Sequence, residues 1–189
     1  IKNPAKVIIG FSLNTPVMIQ EMETKTASLE ERLLAAKKCI DMGFFVAFHF
    51  DPMFVYPDWE VQYRAVVQKI FDYIKSPEKI AWVSLGGFRT MPALKNILKE
   101  KKMHLSLFAG EMITGIDGKL RYFRPLRVKL YQAMADEFEK FYPPVTLYLC
   151  MESPEVWNES GLSKRIPNGL VKYLDDRASE MLNLNSSTS

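Results

Sequence analysis

Cysteine is scarce in this chain: Cys39 and Cys150 are the two among 189 residues, they lie far apart, and no CxxC or Cys/His cluster surrounds either. A disulfide scaffold and a structural zinc site are therefore excluded, and a cytoplasmic protein is expected. Long apolar runs are also missing. A membrane-spanning helix needs about 18 or more consecutive apolar residues, and no such stretch or charged-then-apolar leader is present. A large excess of one charge is absent as well: 25 Lys and Arg stand against 22 Asp and Glu, for a net charge of +3. Bulk electrostatics thus gives no sign of nucleic-acid binding, and any basic surface must be local. The sequence starts at Ile1 rather than at a methionine, so it is expected to be a piece of a longer chain.

What is present is a large apolar fraction, 48% of residues with 12% aromatic. That suffices to bury one substantial core, and a single domain over residues 1–182 is expected, followed by a polar tail, "NLNSSTS", with nothing to bury. Four short runs are rich in β-branched and aromatic residues and do not alternate: Lys6–Leu13, Phe44–Phe50, Ile80–Leu85 and Val145–Met151. Strands covered on both faces of a parallel sheet read this way.

Helical patterns separate the runs. Ser28 with Glu31 forms a capping box, and Leu29, Leu33, Ala36 and Ile40 share one face until Gly43 stops the helix. Asp58 is expected to cap a second helix carrying Tyr63, Val66, Ile70 and Ile74. A third begins near Pro92 with Leu94, Ile97 and Leu98. The longest carries Leu126, Leu130, Met134 and Phe138 and closes at Pro143 and Pro144. Strand and helix in alternation predict an α/β fold, a mostly parallel sheet of roughly four right-handed βα units, or half a barrel. One segment departs from the pattern: "MITGIDGKLRYF", Met112–Phe123, predicts a projecting β-hairpin around its Asp-Gly turn.

In such a sheet ligands gather at the carboxyl ends of the strands, where the βα loops converge. The runs stop on Ser12 and Asn14, on His49 and Asp51, on Ser84 with Arg89 beyond it, and on Cys150 and Glu152. Taken singly, each of these is equally well a polar residue at the start of a loop. His49, Asp51 and Glu152, with His104 and Glu111, offer donors for a barrel metallohydrolase, although no HxH or HExxH motif groups them. Cys150 reads as a nucleophile or, more simply, as a small buried hydrophobe. The densest basic stretch is "KLRYFRPLRVK", where Lys119, Arg121, Arg124, Arg127 and Lys129 interleave with Tyr122 and Phe123. Cations beside rings suit a nucleic-acid contact, and the alternative is a solvated helix start.

These pieces, in order, resemble the C-terminal half of the spore photoproduct lyase family. The likeness runs from "FSLNT" through Glu23, Thr26, Ser28, Arg32, Ala35, Ala36 and Lys38, then the "GFFVAFHFDPMF" block, "FRT" and the hairpin Gly-Lys with Tyr122, up to about Glu155. The resemblance implies the C-terminal half of a partial (β/α)6 barrel that holds a [4Fe-4S] cluster and S-adenosylmethionine at its mouth. It implies a radical S-adenosylmethionine lyase that repairs a UV-induced thymine dimer in DNA: reductive cleavage of the cofactor yields a radical that takes a hydrogen from the lesion, whose cross-link then breaks. Ser12 matches a serine that touches S-adenosylmethionine, and Asn14 shares its motif. Asp51 falls at the next strand end of the cofactor pocket, where spore enzymes commonly carry a small residue, so only its backbone inherits a role. Arg89 would face the lesion. Lys119, Arg121 and Tyr122 would meet the damaged duplex. The family's CxxxCxxC loop belongs to the N-terminal side, upstream of Ile1, so the cluster ligands are absent here and the fragment is expected to be inactive alone. An unpaired sheet edge in such a fragment would invite a dimer.

Overall fold

The computed structural model describes residues 2–23, 25–100, 108 and 111–182. In chain order they form β1 (Ile8–Ser12), α1 (Pro16–Met22), α2 (Leu29–Asp41), β2 (Phe45–Met53), α3 (Trp59–Tyr73), β3 (Ile80–Gly87), β4 (Arg89–Thr90), α4 (Pro92–Glu100), β5 (Met112–Thr114), β6 (Leu120–Tyr122), α5 (Arg124–Phe141), β7 (Leu147–Leu149), α6 (Pro154–Glu159) and α7 (Leu170–Met181). The strands make two sheets: a parallel one in the order β1-β2-β3-β7, with β1 at an edge, and a small antiparallel one in the order β4-β6-β5. The α/β fold of βα units with a hairpin is thus the fold observed.

The register of the parallel sheet sorts its side chains into two faces, because neighbours along a strand point to opposite sides. Phe48, Phe50, Val83, Leu85, Leu147 and Leu149 lie on the outer face, fully buried against Leu33, Tyr63, Val67, Ile70, Leu130 and Phe138 of α2, α3 and α5. Burying each of these contributes on the order of 1.5–3 kcal/mol. The inner face is unlike it. Gly10, Ser12, Ala47, His49, Asp51, Ser84 and Gly86, all small or polar, line it, and the register puts the larger rings of Trp82 and Tyr148 on the same face. Its floor is closed by α7, where Met181 packs on Phe45 and Ala81, with Ile8 and Trp82 alongside. Arg177 of α7 locks this arrangement by donating to the carbonyls of Glu78, Ile80 and Ala81 at 3.0–3.1 Å.

The hairpin is tethered rather than free, since β6 pairs with β4 as well as β5, with Arg89 opposite Arg121. Beneath it lies a second apolar cluster of Met18, Phe54, Phe88 and Tyr122, against which Leu94, Leu98 and Leu126 pack. The stripe on α5 therefore serves two cores: Leu126 faces this cluster, and Leu130, Met134 and Phe138 face the main one.

Several sequence expectations need correction. Pro16 opens α1, a helix absent from the sequence reading, and Thr15 caps it by accepting from the Met18 N–H. A proline at the first helical position behind a threonine is a helix start. Asp58 stands at the N-cap position of α3 but in a left-handed conformation, φ 63°, and its side chain accepts no capping bond. Ile97 of α4 is exposed rather than packed. The tail over 183–189 and His104 lie outside the described residues.

Candidate functional site

At the mouth of β1, Ser12 is exposed and its carbonyl is held by Arg32 Nη1 at 3.0 Å. The same guanidinium binds Glu23 at 2.5 Å, the Thr26 hydroxyl at 3.0 Å and the Ala27 carbonyl at 2.9 Å. The Ser28–Glu31 capping box starts α2 and so aims Arg32 at this loop. The spaced Glu23, Thr26, Ser28 and Arg32 of the sequence are therefore a clamp on the first strand end.

Asn14 is not at the surface of the mouth. It is 4% exposed, its amide donates to the Pro52 carbonyl at 3.0 Å, and its oxygen accepts from the Thr15 N–H and the Tyr63 hydroxyl. Tyr63 in turn accepts from the Phe54 N–H at 2.9 Å. A buried amide with its donor and acceptor both engaged fixes the ends of β1 and β2 relative to each other. Asn14 thus stands behind the strand end and not on its exposed surface.

Asp51, Arg89 and Cys150 come together on the inner face. The Asp51 carboxylate lies against Gly86, where a Cβ would stand 2.5–2.9 Å from it, so only glycine leaves the carboxylate its place. Arg89 Nη2 is 3.7 Å from Asp51 Oδ2 and 3.9 Å from Cys150 Sγ. Burial first, and then the neighbouring Asp51 carboxylate, push the Cys150 thiol up, which keeps it protonated and unsuited to nucleophilic attack. One level down, burial pulls the His49 imidazole below its ordinary value against the smaller pull of Asp51, and Gly10 leaves room for its ring.

Glu152 is committed elsewhere. It pairs with Arg127, both side chains about 5% exposed, and accepts from the Tyr131 hydroxyl at 2.6 Å. Tyr131 accepts from the Gly87 N–H at 2.7 Å, and Arg127 Nε donates to the Tyr122 carbonyl at 2.9 Å. This network ties the ends of β3, β6 and β7 to α5. It removes Glu152 from the metallohydrolase reading, and no group of three metal-ligating side chains occurs among the described residues.

On the hairpin, Gly115 N–H donates to the Lys119 carbonyl and Gly118, at φ +75°, turns the chain. Tyr122 does not reach the surface: it is fully buried, packs near Phe88, and its hydroxyl accepts from the Val55 N–H at 3.2 Å. Its alternation with Arg121 along β6 turns this ring inward, so that it supports the hairpin from beneath. Arg121 pairs with Asp117 and packs on Gly115, Arg124 pairs with Glu159 at 3.5 Å, and Lys129 pairs with Glu60 at 3.2 Å. Lys119 alone among the five cations of the stretch has no ion pair among the described residues. Tyr131 carried no signal in the sequence, and the partners of Arg32, Tyr63 and Arg127 were not legible there, because a helical arginine or tyrosine carries no local mark of what it reaches across the fold.

The comparisons agree with this architecture. Residues 1–141 match the family model described as spore photoproduct lyase. The spore photoproduct lyase of Clostridium acetobutylicum is 34% identical over 70 residues, 37% of this chain and 21% of that protein, and that of Bacillus subtilis is 30% identical over 69 residues, 36% and 20% respectively. Among solved structures, a cysteine-to-alanine variant of spore photoproduct lyase with dinucleoside spore photoproduct superposes with TM-score 0.67 at 23% identity, covering 76% of this chain and 45% of that one. A doubly substituted variant with bound AdoMet and dinucleoside spore photoproduct gives TM-score 0.64 at 22% identity, with 76% and 44% covered. The chain thus spans less than half of the solved chains, and a smaller share of the curated relatives is aligned. No helix among the described residues is long and apolar enough to cross a membrane.

Proposed function

The chain belongs to the spore photoproduct lyase family, and on that premise we propose that it forms the cofactor- and DNA-facing portion of a radical S-adenosylmethionine lyase that repairs UV-induced thymine dimers. The observation that carries this reading is the asymmetry of the parallel sheet. One face is sealed by helices, and the other is lined by Gly10, Ser12, His49, Asp51 and Gly86 with a tethered hairpin at its rim.

Ser12 and the backbone at Asp51 would hold S-adenosylmethionine at the strand ends; the exposed Ser12 hydroxyl and the Cβ-free positions Gly10 and Gly86 suit a ligand that lies close on the sheet. When bound, that cofactor supplies the hydrogen-abstracting chemistry. An iron–sulfur cluster does not fit these residues. Cys39 packs on the main core from α2, Cys150 lies at the end of β7, and a cluster in such enzymes needs at least three thiolates. Alone, the chain is therefore proposed to bind lesion DNA without cleaving it.

The hairpin supplies the duplex contact in this reading, with Lys119 as the cation least occupied by the protein's own carboxylates and Arg89 turned to the lesion. Damaged base pairs are the least costly to open, which favours the lesion over intact DNA. Lys119→Ala is expected to weaken binding to a UV-irradiated thymine-rich duplex and to lower the slope of log affinity against log salt by about one, the loss of a single phosphate contact. Filter binding or fluorescence anisotropy across a salt series measures both. An unchanged slope, or equal affinity for irradiated and intact duplex, speaks against the proposal.

A further inference from the structure

A carboxylate and a guanidinium placed side by side usually close on each other, and Asp51 and Arg89 do not. Their nearest atoms are 3.7 Å apart, and the only other polar contact of the Arg89 guanidinium among the described residues is with Cys150 Sγ at 3.9 Å. Hydrogen bonds between charged groups are normally shorter than about 3 Å. Yet the Arg89 and Asp51 side chains are only 19% and 27% exposed. Both groups also engage the Cys150 thiol, and that weak donor and acceptor leaves each of them with hydrogen-bonding capacity to spare. Their positions are set from behind: Asp51 rests on Gly86, and Arg89 belongs to β4, which is paired to the hairpin strand β6.

The signs of the two groups narrow what they accept. A phosphate is repelled by Asp51 and a simple cation by Arg89, so a neutral group offering one donor beside one acceptor fits best. We propose that Asp51 and Arg89 together read the imide edge of a thymine turned out of the stack, Asp51 accepting from N3–H and Arg89 donating to the adjoining carbonyl. Methylation at N3 removes the one donor that Asp51 would accept, whereas a cytosine can still meet the pair with N4–H beside the N3 lone pair. The connection through β4 to β6 places this reader beside the element assigned to the duplex. The inference rests on the DNA-repair reading above and goes beyond it, because the family likeness leaves a small residue at the position of Asp51 and so does not supply the pair.

The test is equilibrium binding of labelled oligothymidylate, its N3-methylated counterpart and oligodeoxycytidylate to the chain and to Asp51→Asn, followed by fluorescence anisotropy. The chain is expected to favour oligothymidylate over its N3-methylated counterpart by about tenfold, as befits one lost hydrogen bond to a charged acceptor, with oligodeoxycytidylate within about twofold of oligothymidylate. Asp51→Asn, which is isosteric beside Gly86 and can offer either a donor or an acceptor, is expected to bring the three affinities within about twofold at an unchanged thermal midpoint. Equal binding of the N3-methylated probe by the unsubstituted chain overturns the pair alone. So does an Asp51→Asn variant that keeps the preference, or one that loses AdoMet binding instead. Failure of all three probes to bind overturns both this inference and the DNA reading it rests on.

Discussion

Single side chains at the strand ends divide into those that hold the structure and those that face outward, and the difference is measurable. Arg127 and Glu152 are a buried ion pair with every neighbour hydrogen-bonded. Removing one partner leaves the other charge buried and unpaired, so Arg127→Ala is expected to destabilise the fold by about 3–5 kcal/mol in denaturant unfolding. Glu152→Gln still offers Tyr131 an acceptor and should cost less. His49 gives a pH-dependent counterpart. Burial lowers its pKa from 6.5, so below about that pH the unfolded chain takes up a proton that the folded chain resists. Stability is therefore expected to fall as pH drops through this range and to level off above it, and His49→Gln should remove that part of the slope. A midpoint equally sensitive to pH in the variant would sink this account.

At the scale of elements, local signals were legible where the chain satisfies itself and illegible where distant partners decide. The capping box of α2 is complete in the structure as in the sequence, with both reciprocal bonds formed. Asp58 carries the same kind of signal but adopts a left-handed conformation, φ 63°, and its side chain makes no capping bond. Ser28→Ala is thus expected to cost about 1 kcal/mol of stability, and Asp58→Ala clearly less. Comparable losses from the two substitutions would show that Asp58 caps after all. The four parallel strands were readable from their apolar runs, and the hairpin from Asp-Gly. α6, α7 and α1 were not: they are short or strongly polar, and α7 is held by three backbone carbonyls of the β3 approach, a pairing nearly a hundred residues distant in sequence. For the site, Ser12, Asp51 and Arg89 were visible as polar strand ends. Whether such a residue points outward, as Ser12 does, or inward, as Asn14 and Glu152 do, depends on which tyrosine or arginine the fold brings to it.

For the whole molecule, the two faces of one sheet do different work. The outer face carries the apolar stabilisation, and the inner face is left mostly small and polar between a floor made by α7 and a rim made by the hairpin. The networks around Asn14, Arg32 and Arg127 keep that division by pinning the strand ends to the helices behind them. Trp82 stands on the inner face, partly buried, with its indole nitrogen buried and without a hydrogen-bond partner among the described residues. Trp59 and Trp157, the other two indoles of the chain, are sealed in the main core. The red edge of the intrinsic emission is therefore expected to come from Trp82, which would give the molecule its own optical gauge of what enters or covers its inner face.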